Sequence, residues 1–358
     1  MPSDFEPIKI RGRGAGYNPP NRFETLAYVP DPSDDECEDS RGLQTVLLRD
    51  ASRTLITYND SPDVGFDASI NPYRGCEHGC IYCYARPSHE YLGFSAGLDF
   101  ETKILVKEDA PELLRKDMSS KSWKPQVVAI SGVTDPYQPV EKKLQLTRRC
   151  IEVFAEFRNP VMLVTKNNLI SRDVDLLSEM ARSNAAAAFI SVTTLDENLA
   201  RIMEPRASTP ARRLAAIEAL ASAGVPVGVL TAPIVPGLTD HEINSIISAA
   251  VQAGAKFAGY TIMRLPYAVA PLFEEWLTRH FPDRKKKVLS HIKSLRGGKL
   301  NDPRFNSRMR GEGAYAEQIR GMFAIACKRA GIEGKRAALS TDSFRRPFEG
   351  QYSLFDNL

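Results

Sequence analysis

The 358-residue sequence predicts an α/β fold with a parallel sheet, and two observations predict it. From residue 66 onward, short apolar runs alternate with stretches of helical period. The runs are also separated by enough chain for a helix to carry each strand back to the same edge, which hairpins do not need. Candidate strands are residues 68–73, 126–131, 161–165, 187–193, 225–231 and 257–263. Helical stretches between them are 111–118, 141–157, 172–182, 210–223 and 241–253. Pro210 suits a first helical position, Ser171 an N-cap, and Gly224 and Gly254 helix stops. Periodicity alone leaves a doubly wound open sheet and a (β/α) barrel equally open.

Length and composition suit an enzyme: 43% hydrophobic and 25% charged residues in a chain long enough for one large domain with extensions. No apolar run reaches membrane-spanning length, and Met1-Pro-Ser-Asp-Phe-Glu lacks the basic then apolar start of a secretory signal. The expectation is a cytoplasmic protein with no membrane contact. Six cysteines in a chain this size do not suggest a disulfide framework.

Three of the six, Cys76, Cys80 and Cys83, fall within eight residues at C-x3-C-x2-C spacing. Three thiolates on one loop can hold three irons of a four-iron cubane and leave the fourth open to a ligand. A zinc ribbon would bring a second Cys or His pair, and Cys37, Cys150 and Cys327 are scattered singly; structural zinc completed by His78 or His89 is the competing reading.

With Tyr82 as the aromatic just before the third cysteine, the loop resembles that of the radical S-adenosylmethionine (SAM) superfamily. Asn71-Pro-Tyr-Arg-Gly-Cys together with Ser131-Gly-Val-Thr-Asp-Pro-Tyr-Gln-Pro is similar to the branch containing spore photoproduct lyase and its DNA repair photolyase-like relatives. That resemblance implies a partial (β/α)6 TIM-like barrel over residues 61–283. It also implies a [4Fe-4S] cluster whose open iron binds SAM, a 5′-deoxyadenosyl radical, and a reducing donor of flavodoxin or ferredoxin type. In such barrels, functional groups gather at the C-terminal ends of the strands, and this chain's polar loop residues fall there.

On this reading Asp135, in place of the family's Gly-Gly-Glu segment, accepts the SAM amino group, unless it is only the turn residue of Thr-Asp-Pro-Tyr. Lys166 and Arg206 are candidates for the SAM carboxylate. Ser191 and Thr193, alternating with Val192, offer hydroxyls to ribose or carboxylate oxygens. Ile234 and Gly237 resemble the adenine-contacting turn after the fifth strand, where Gly237 permits close approach. Spore photoproduct lyase places a cysteine near the end of its second strand; here residues 127–137 contain none, which puts that reaction itself in doubt. Tyr84, Tyr137 and Tyr267 are the candidates for relaying a hydrogen atom, each equally able to stack or pack. Cys150 reads as helix packing.

The flanks differ in charge. Residues 284–358 carry 17 Lys+Arg against 7 Asp+Glu, leaving 30 against 37 in the rest. Residues 1–60, rich in Pro, Gly and Asp, read as an extended arm, with Arg11 and Arg13 as leader or phosphate contacts. Residues 284–334 read as a basic helical extension, either a solvated face or a DNA footprint interleaved with Phe305, Tyr315 and Phe323. Residues 335–358 read as a flexible tail, in which Gln351, Leu354 and Phe355 resemble the peptide by which bacterial repair proteins dock on the sliding clamp.

The first functional reading is a radical SAM enzyme acting on damaged DNA or other nucleic acid. The alternatives are a radical SAM enzyme modifying a peptide, protein or small metabolite, and a non-catalytic Fe–S adaptor at DNA.

Overall fold

Six strands pair in parallel in the order in which they occur along the chain: β1 (Ala68–Ile70), β2 (Val128–Ile130), β3 (Val161–Thr165), β4 (Ala186–Ser191), β5 (Val227–Ile234) and β6 (Phe257–Ile262). The computed structural model describes residues 10–24, 43–332 and 337–347. The clamp-like residues Gln351, Leu354 and Phe355, and Cys37, lie outside the described residues.

An order without reversal decides between the two architectures that periodicity left open. A doubly wound sheet reverses once and sends helices to both faces; here every crossover steps the same way, so right-handed connections put every crossover helix on one face. These are α1 (Ala110–Ser119), α2 (Leu146–Phe157), α3 (Val174–Ala181), α4 (Pro210–Ser222) and α5 (Ile243–Gln252). The sheet is therefore a partial barrel: among the described residues β6 does not pair with β1, whose outer edge instead takes the short antiparallel strand Thr57–Tyr58.

Strand parity assigns the faces. Val128, Ile130, Val161, Leu163, Ile190 and Val229 are fully buried against the helices. On the opposite face Met162, Val164, Leu230, Ala232 and Thr261 remain partly exposed, which leaves a concave surface open to a ligand. The floor is plugged by Phe189 and Phe257, with ring centroids 6.0 Å apart. Gly228 makes room for them, since a Cβ there would meet Phe189 at 2.7 Å.

Several local boundaries depart from the sequence reading. The first strand stops at Ile70, and Tyr73–Arg74 joins a second small sheet with Lys103–Val106 and Val46–Arg49. Pro72, lacking an N–H, breaks the run, and Asn71 Oδ1 accepts from Val133 N and Thr134 N at 3.2 Å each. The helical stretch 141–157 is two helices, because Gln145 adopts φ 53° between Glu141–Leu144 and α2. Glu141 explains the break: its carboxylate accepts from Thr147 N at 3.0 Å and caps the second helix. The stretch 172–182 opens as a 3-10 turn, Asn168–Asp173, capped by Asn167 rather than Ser171. Pro210 does open α4, behind Thr209 as N-cap, and Gly224 and Gly254 adopt positive φ.

C-terminal to β6, helices α6 (Val269–His280), α7 (Pro282–Ser294) and α8 (Ala314–Arg329) pack beside the barrel. No helix among the described residues is long and apolar enough to cross a membrane.

Candidate functional site

The cysteine loop lies at the C-terminal end of β1, and its backbone is tied down on every side. Cys76 N donates to Phe100 O at 2.9 Å, Glu77 N to Gln138 Oε1 at 2.9 Å, Ile81 N to Met203 O at 3.1 Å and Arg206 N to His78 O at 3.3 Å. Beneath it, the fully buried Arg86 donates to Cys80 O and Gly79 O, and its charge is met by Glu101 at 2.5 Å. Glu101 also accepts from Gly14 N and Ala15 N, so the N-terminal arm is clipped to the loop. Gly14 is obligatory there: a Cβ would stand 1.9 Å from Gly79 O. Arg13 is buried, donating to Glu101 O and Leu43 O, and is a structural clip rather than a leader or phosphate contact.

Cys76 and Cys80 are buried, Cys83 is half-buried, and all three are free thiols. They lie close enough to affect one another electrostatically, and burial pushes each thiol up. A bound metal supplies the charge that holds such thiols as thiolates. Among the described residues no three His, Cys, Asp or Glu side chains converge on a point where one ion sits. A cubane asks for something else, one thiolate on each of three irons, and the loop fits that demand.

The zinc-completing histidines are otherwise engaged. His89 Nε2 lies 3.0 Å from Lys103 O, and the ring packs edge-on against Phe100. His78 Nδ1 lies 3.3 Å from Asp135 Oδ2. Burial depresses His89 to about 4 from 6.5, so it is neutral in the folded protein. Its contribution to stability is fully present above the unfolded value and is lost as pH falls from about 6.5 to 4, on the order of 3 kcal/mol. Acid titration of unfolding free energy should show this slope, and His89→Gln should flatten it; an unchanged slope would refute the assignment.

Asp135 is a strand tie. Its Oδ1 accepts from Thr165 Oγ1 at 2.6 Å and Tyr137 N at 2.9 Å, and its Oδ2 from Lys166 N at 2.7 Å. Burial opposes its ionisation, but His78 and these donors overcome that and hold it near pKa 2. The carboxylate thus joins the ends of β2 and β3 to the cysteine loop. Lys166, held by that bond, reaches Ala232 O at 3.3 Å with its Nζ 6.0 Å from the Tyr82 ring centre, and its charge is felt at Cys80 and Cys83.

Other candidates are placed differently from the sequence reading. Thr193 is fully buried and donates its hydroxyl to Glu204 at 2.9 Å, so it faces a carboxylate of the protein rather than a ribose. Ser191 is buried at the end of β4, with its carbonyl on Arg213. Arg206 pairs with Glu77 at 3.1 Å and donates to Thr45 Oγ1 at 3.3 Å. Ile234 is fully buried in the helix-side core, not open to an adenine. The cause is a bulge: between Thr231 and Ile234 β5 advances three residues while β6 advances two, and the extra residue flips the alternation. At Gly237 the neighbour is His291 of α7, 3.4 Å from where a Cβ would stand. Tyr137 is fully buried in the core. Tyr84 and Tyr267 are exposed at the rim, 47% and 64% accessible. Cys150 is core packing, as its helix pattern suggests.

Sequence reasoning missed the buried charges. Glu204 accepts from Tyr82 OH, Thr193 Oγ1 and the fully buried Arg213. The aromatic between two cluster cysteines is thereby anchored to β4 and α4. Neither Glu204–Arg213 nor Glu101–Arg86 has a sequence signature, because each is a contact made only by the fold.

The basic extension is partly spent on structure. Arg296 is buried and donates to Ile262 O and Met263 O at the end of β6. Arg308 pairs with Asp63 and Arg304 with Asp302. Tyr315 donates to Asp240, and Phe323 packs on Tyr260 with centroids 4.5 Å apart. Of the three interleaved aromatics, Phe305 alone is exposed, at 48%.

Comparison with known proteins agrees with this architecture. The radical SAM superfamily model matches residues 70–250. An uncharacterized protein of Mycobacterium tuberculosis (strain ATCC 25618 / H37Rv) is 34% identical over 250 residues, covering 68% of this chain and 72% of its own. A Pseudomonas phage M6 protein named radical SAM Nalpha-GlyT isomerase is 27% identical over 224 residues, 62% of this chain and 44% of that protein. Among solved structures, spore photoproduct lyase complexed with dinucleoside spore photoproduct shares the fold, with TM-score 0.57 at 16% identity over 80% of each chain.

Proposed function

This chain belongs to the radical SAM superfamily and is a radical SAM enzyme, and we propose that its chemistry is directed at nucleic acid held at the open end of the barrel. The observation that carries this is Arg264. It follows β6, is partly buried, and among the described residues has no hydrogen-bonded or carboxylate partner; its contact is the Tyr84 ring, 4.9 Å from the guanidinium carbon. Burial lowers its pKa, Arg308 lowers it further, and the nearby Asp63 is already taken by Arg308 and Asn306 N. A guanidinium withdrawn from water without an anion is costly, and a phosphodiester supplies the missing partner. Tyr84 is the residue after Cys83, so the anion would sit beside the reaction centre.

Superfamily members work through a [4Fe-4S] cluster and SAM, which when bound supply an electron and a 5′-deoxyadenosyl radical. In this chain Cys76, Cys80 and Cys83 would hold the cluster, and Lys166 would meet the SAM carboxylate. Asp135 would fix the end of β3 so that Lys166 points inward. The open concave face would admit the reacting residue. Fold relatives solved with a dinucleoside photoproduct, and the excess of Lys and Arg in residues 284–358, support the nucleic-acid reading over a peptide or small metabolite.

The test is the salt dependence of oligonucleotide binding by the reconstituted protein. Arg264→Gln should weaken binding and reduce the slope of log K against log salt by about 0.7 on single strands, while Arg264→Lys keeps the slope. A slope unchanged in Arg264→Gln would overturn the assignment.

A further inference from the structure

Beside the barrel mouth, four side chains form one continuous stack on the surface. Tyr91 lies on Phe23 with ring centroids 4.8 Å apart and planes 26° from parallel. The Arg22 guanidinium follows, 5.0 Å from the Phe23 ring centre and 3.8 Å from that of Tyr267. Its two ends are also its most open members, Tyr91 at 73% and Tyr267 at 64% exposed, with Phe23 at 55%. Aromatics this exposed contribute little to a folding core, so the fold does not account for three in series.

The stack is pre-set. Asn21 donates to Glu90 O and Phe94 O at 2.9 Å each, and Arg22 pairs with the buried Glu90 at 2.8 Å. Those bonds hold the N-terminal arm against the 3-10 turn Arg86–Leu92, which follows the cysteine loop and carries Tyr91. At its other end Tyr267 lies three residues beyond Arg264. The stack therefore runs from the flank of the cysteine loop to the proposed phosphate anchor.

We propose that Tyr91, Phe23, Arg22 and Tyr267 form a stacking platform for unpaired nucleotides flanking the residue that enters the barrel. The proposal rests on the nucleic-acid reading above and narrows it to a strand whose bases are exposed. Flat π faces in series accept successive bases regardless of sequence, whereas in a duplex those faces are hidden. Glu90 neutralises Arg22, so the platform addresses bases and leaves phosphates to Arg264 and the basic extension. A base drawn into a deep site must leave its stack, and a platform at the rim offsets part of that unstacking.

The experiment is fluorescence anisotropy of full-length reconstituted protein with fluorescein-labelled oligothymidylate of about 12 nucleotides, its duplex, and an abasic strand of equal length. Wild type should prefer the unpaired strand. Tyr91→Ala and Tyr267→Ala should each weaken that binding about tenfold without altering the salt slope, and Tyr91→Phe should retain it. Abasic binding should be indifferent to all three variants. Both tyrosines are exposed, so unfolding midpoints should match wild type and exclude misfolding. Wild-type affinity for oligothymidylate in both alanine variants would overturn the platform and leave the nucleic-acid reading standing. A wild-type protein that cleaves SAM but binds neither strand nor duplex would overturn that reading and the platform with it. Equal losses on abasic and intact strands would also reject stacking.

Discussion

Replacing Cys80 by alanine is expected to strip the protein of its iron and sulfide and to reduce SAM cleavage to background. The cubane needs a thiolate on each of three irons, and no other cysteine among the described residues can substitute. Cys150 is fully buried in the helix-side core and Cys327 is buried on α8. Even a change that keeps the shape of the loop should fail, since Cys80→Ser offers a hydroxyl that stays protonated where a thiol can be held as thiolate. The measurements are iron and sulfide content, the visible absorption of the reconstituted protein, and 5′-deoxyadenosine formed with dithionite. Cys150→Ala should keep the cluster, with a loss confined to folding stability. Full iron content in Cys80→Ala would sink the assignment.

The parts of this protein legible in its sequence are those written in local spacing. The cysteine trio needs eight consecutive residues, and the strand and helix alternation needs windows of ten to fifteen. Both survive in the structure because nothing at long range competes with them. Boundaries were less legible where a side chain several residues away intervened, as when Glu141 captures Thr147 N and splits one helical stretch in two. Faces are not legible where a bulge changes parity: Ile234 lies beyond the apolar run 225–231 and reads as part of an open turn, yet it ends β5 and is buried in the helix-side core.

The candidate site was less legible than the loop at its centre. Functional residues of such barrels belong at strand ends, and polar residues are indeed there. What the sequence cannot show is which of them the protein uses on itself. Asp135, Thr193 and Arg206 all satisfy internal partners, whereas Arg264, with no distinctive motif around it, is left without one. The difference lies in contacts spanning more than a hundred residues, such as Tyr82 to Glu204, 122 apart, and Arg206 to Thr45, 161 apart. Net charge is similarly ambiguous: from sequence the basic extension reads as either a solvated face or a DNA footprint, yet Arg296, Arg304 and Arg308 are committed to carbonyls and carboxylates, while the lysines of α7 are exposed or partly so.

Glu204→Ala is expected to destabilise the fold by about 3–5 kcal/mol, a large share of the roughly 5–15 kcal/mol that holds a domain together. The cost comes less from the lost pair than from what it leaves behind. Arg213 would remain buried as a cation with two backbone carbonyls, Ser208 O at 2.8 Å and Ser191 O at 3.1 Å. The Tyr82 and Thr193 hydroxyls would lose their acceptor in a site closed to water. Burial raises the pKa of Glu204, but Arg213 and Lys166 more than reverse this and the folded value lies below normal. Its contribution is therefore present at neutral pH and is lost as pH falls through the folded value. Glu204→Gln keeps an acceptor for Tyr82 but no charge for Arg213, and should fall between the two. The decisive variant is Glu204→Leu with Arg213→Met, which removes both charges. Its unfolding free energy should recover the part of the loss due to the unpaired Arg213 charge but not the part due to the orphaned Tyr82 and Thr193 hydroxyls, while iron retention stays low because Tyr82, between Cys80 and Cys83, has still lost its anchor. Urea unfolding paired with iron content separates these effects. If Glu204→Ala unfolds within about 1 kcal/mol of wild type and binds iron fully, the buried pair neither supports the fold nor braces the cluster loop.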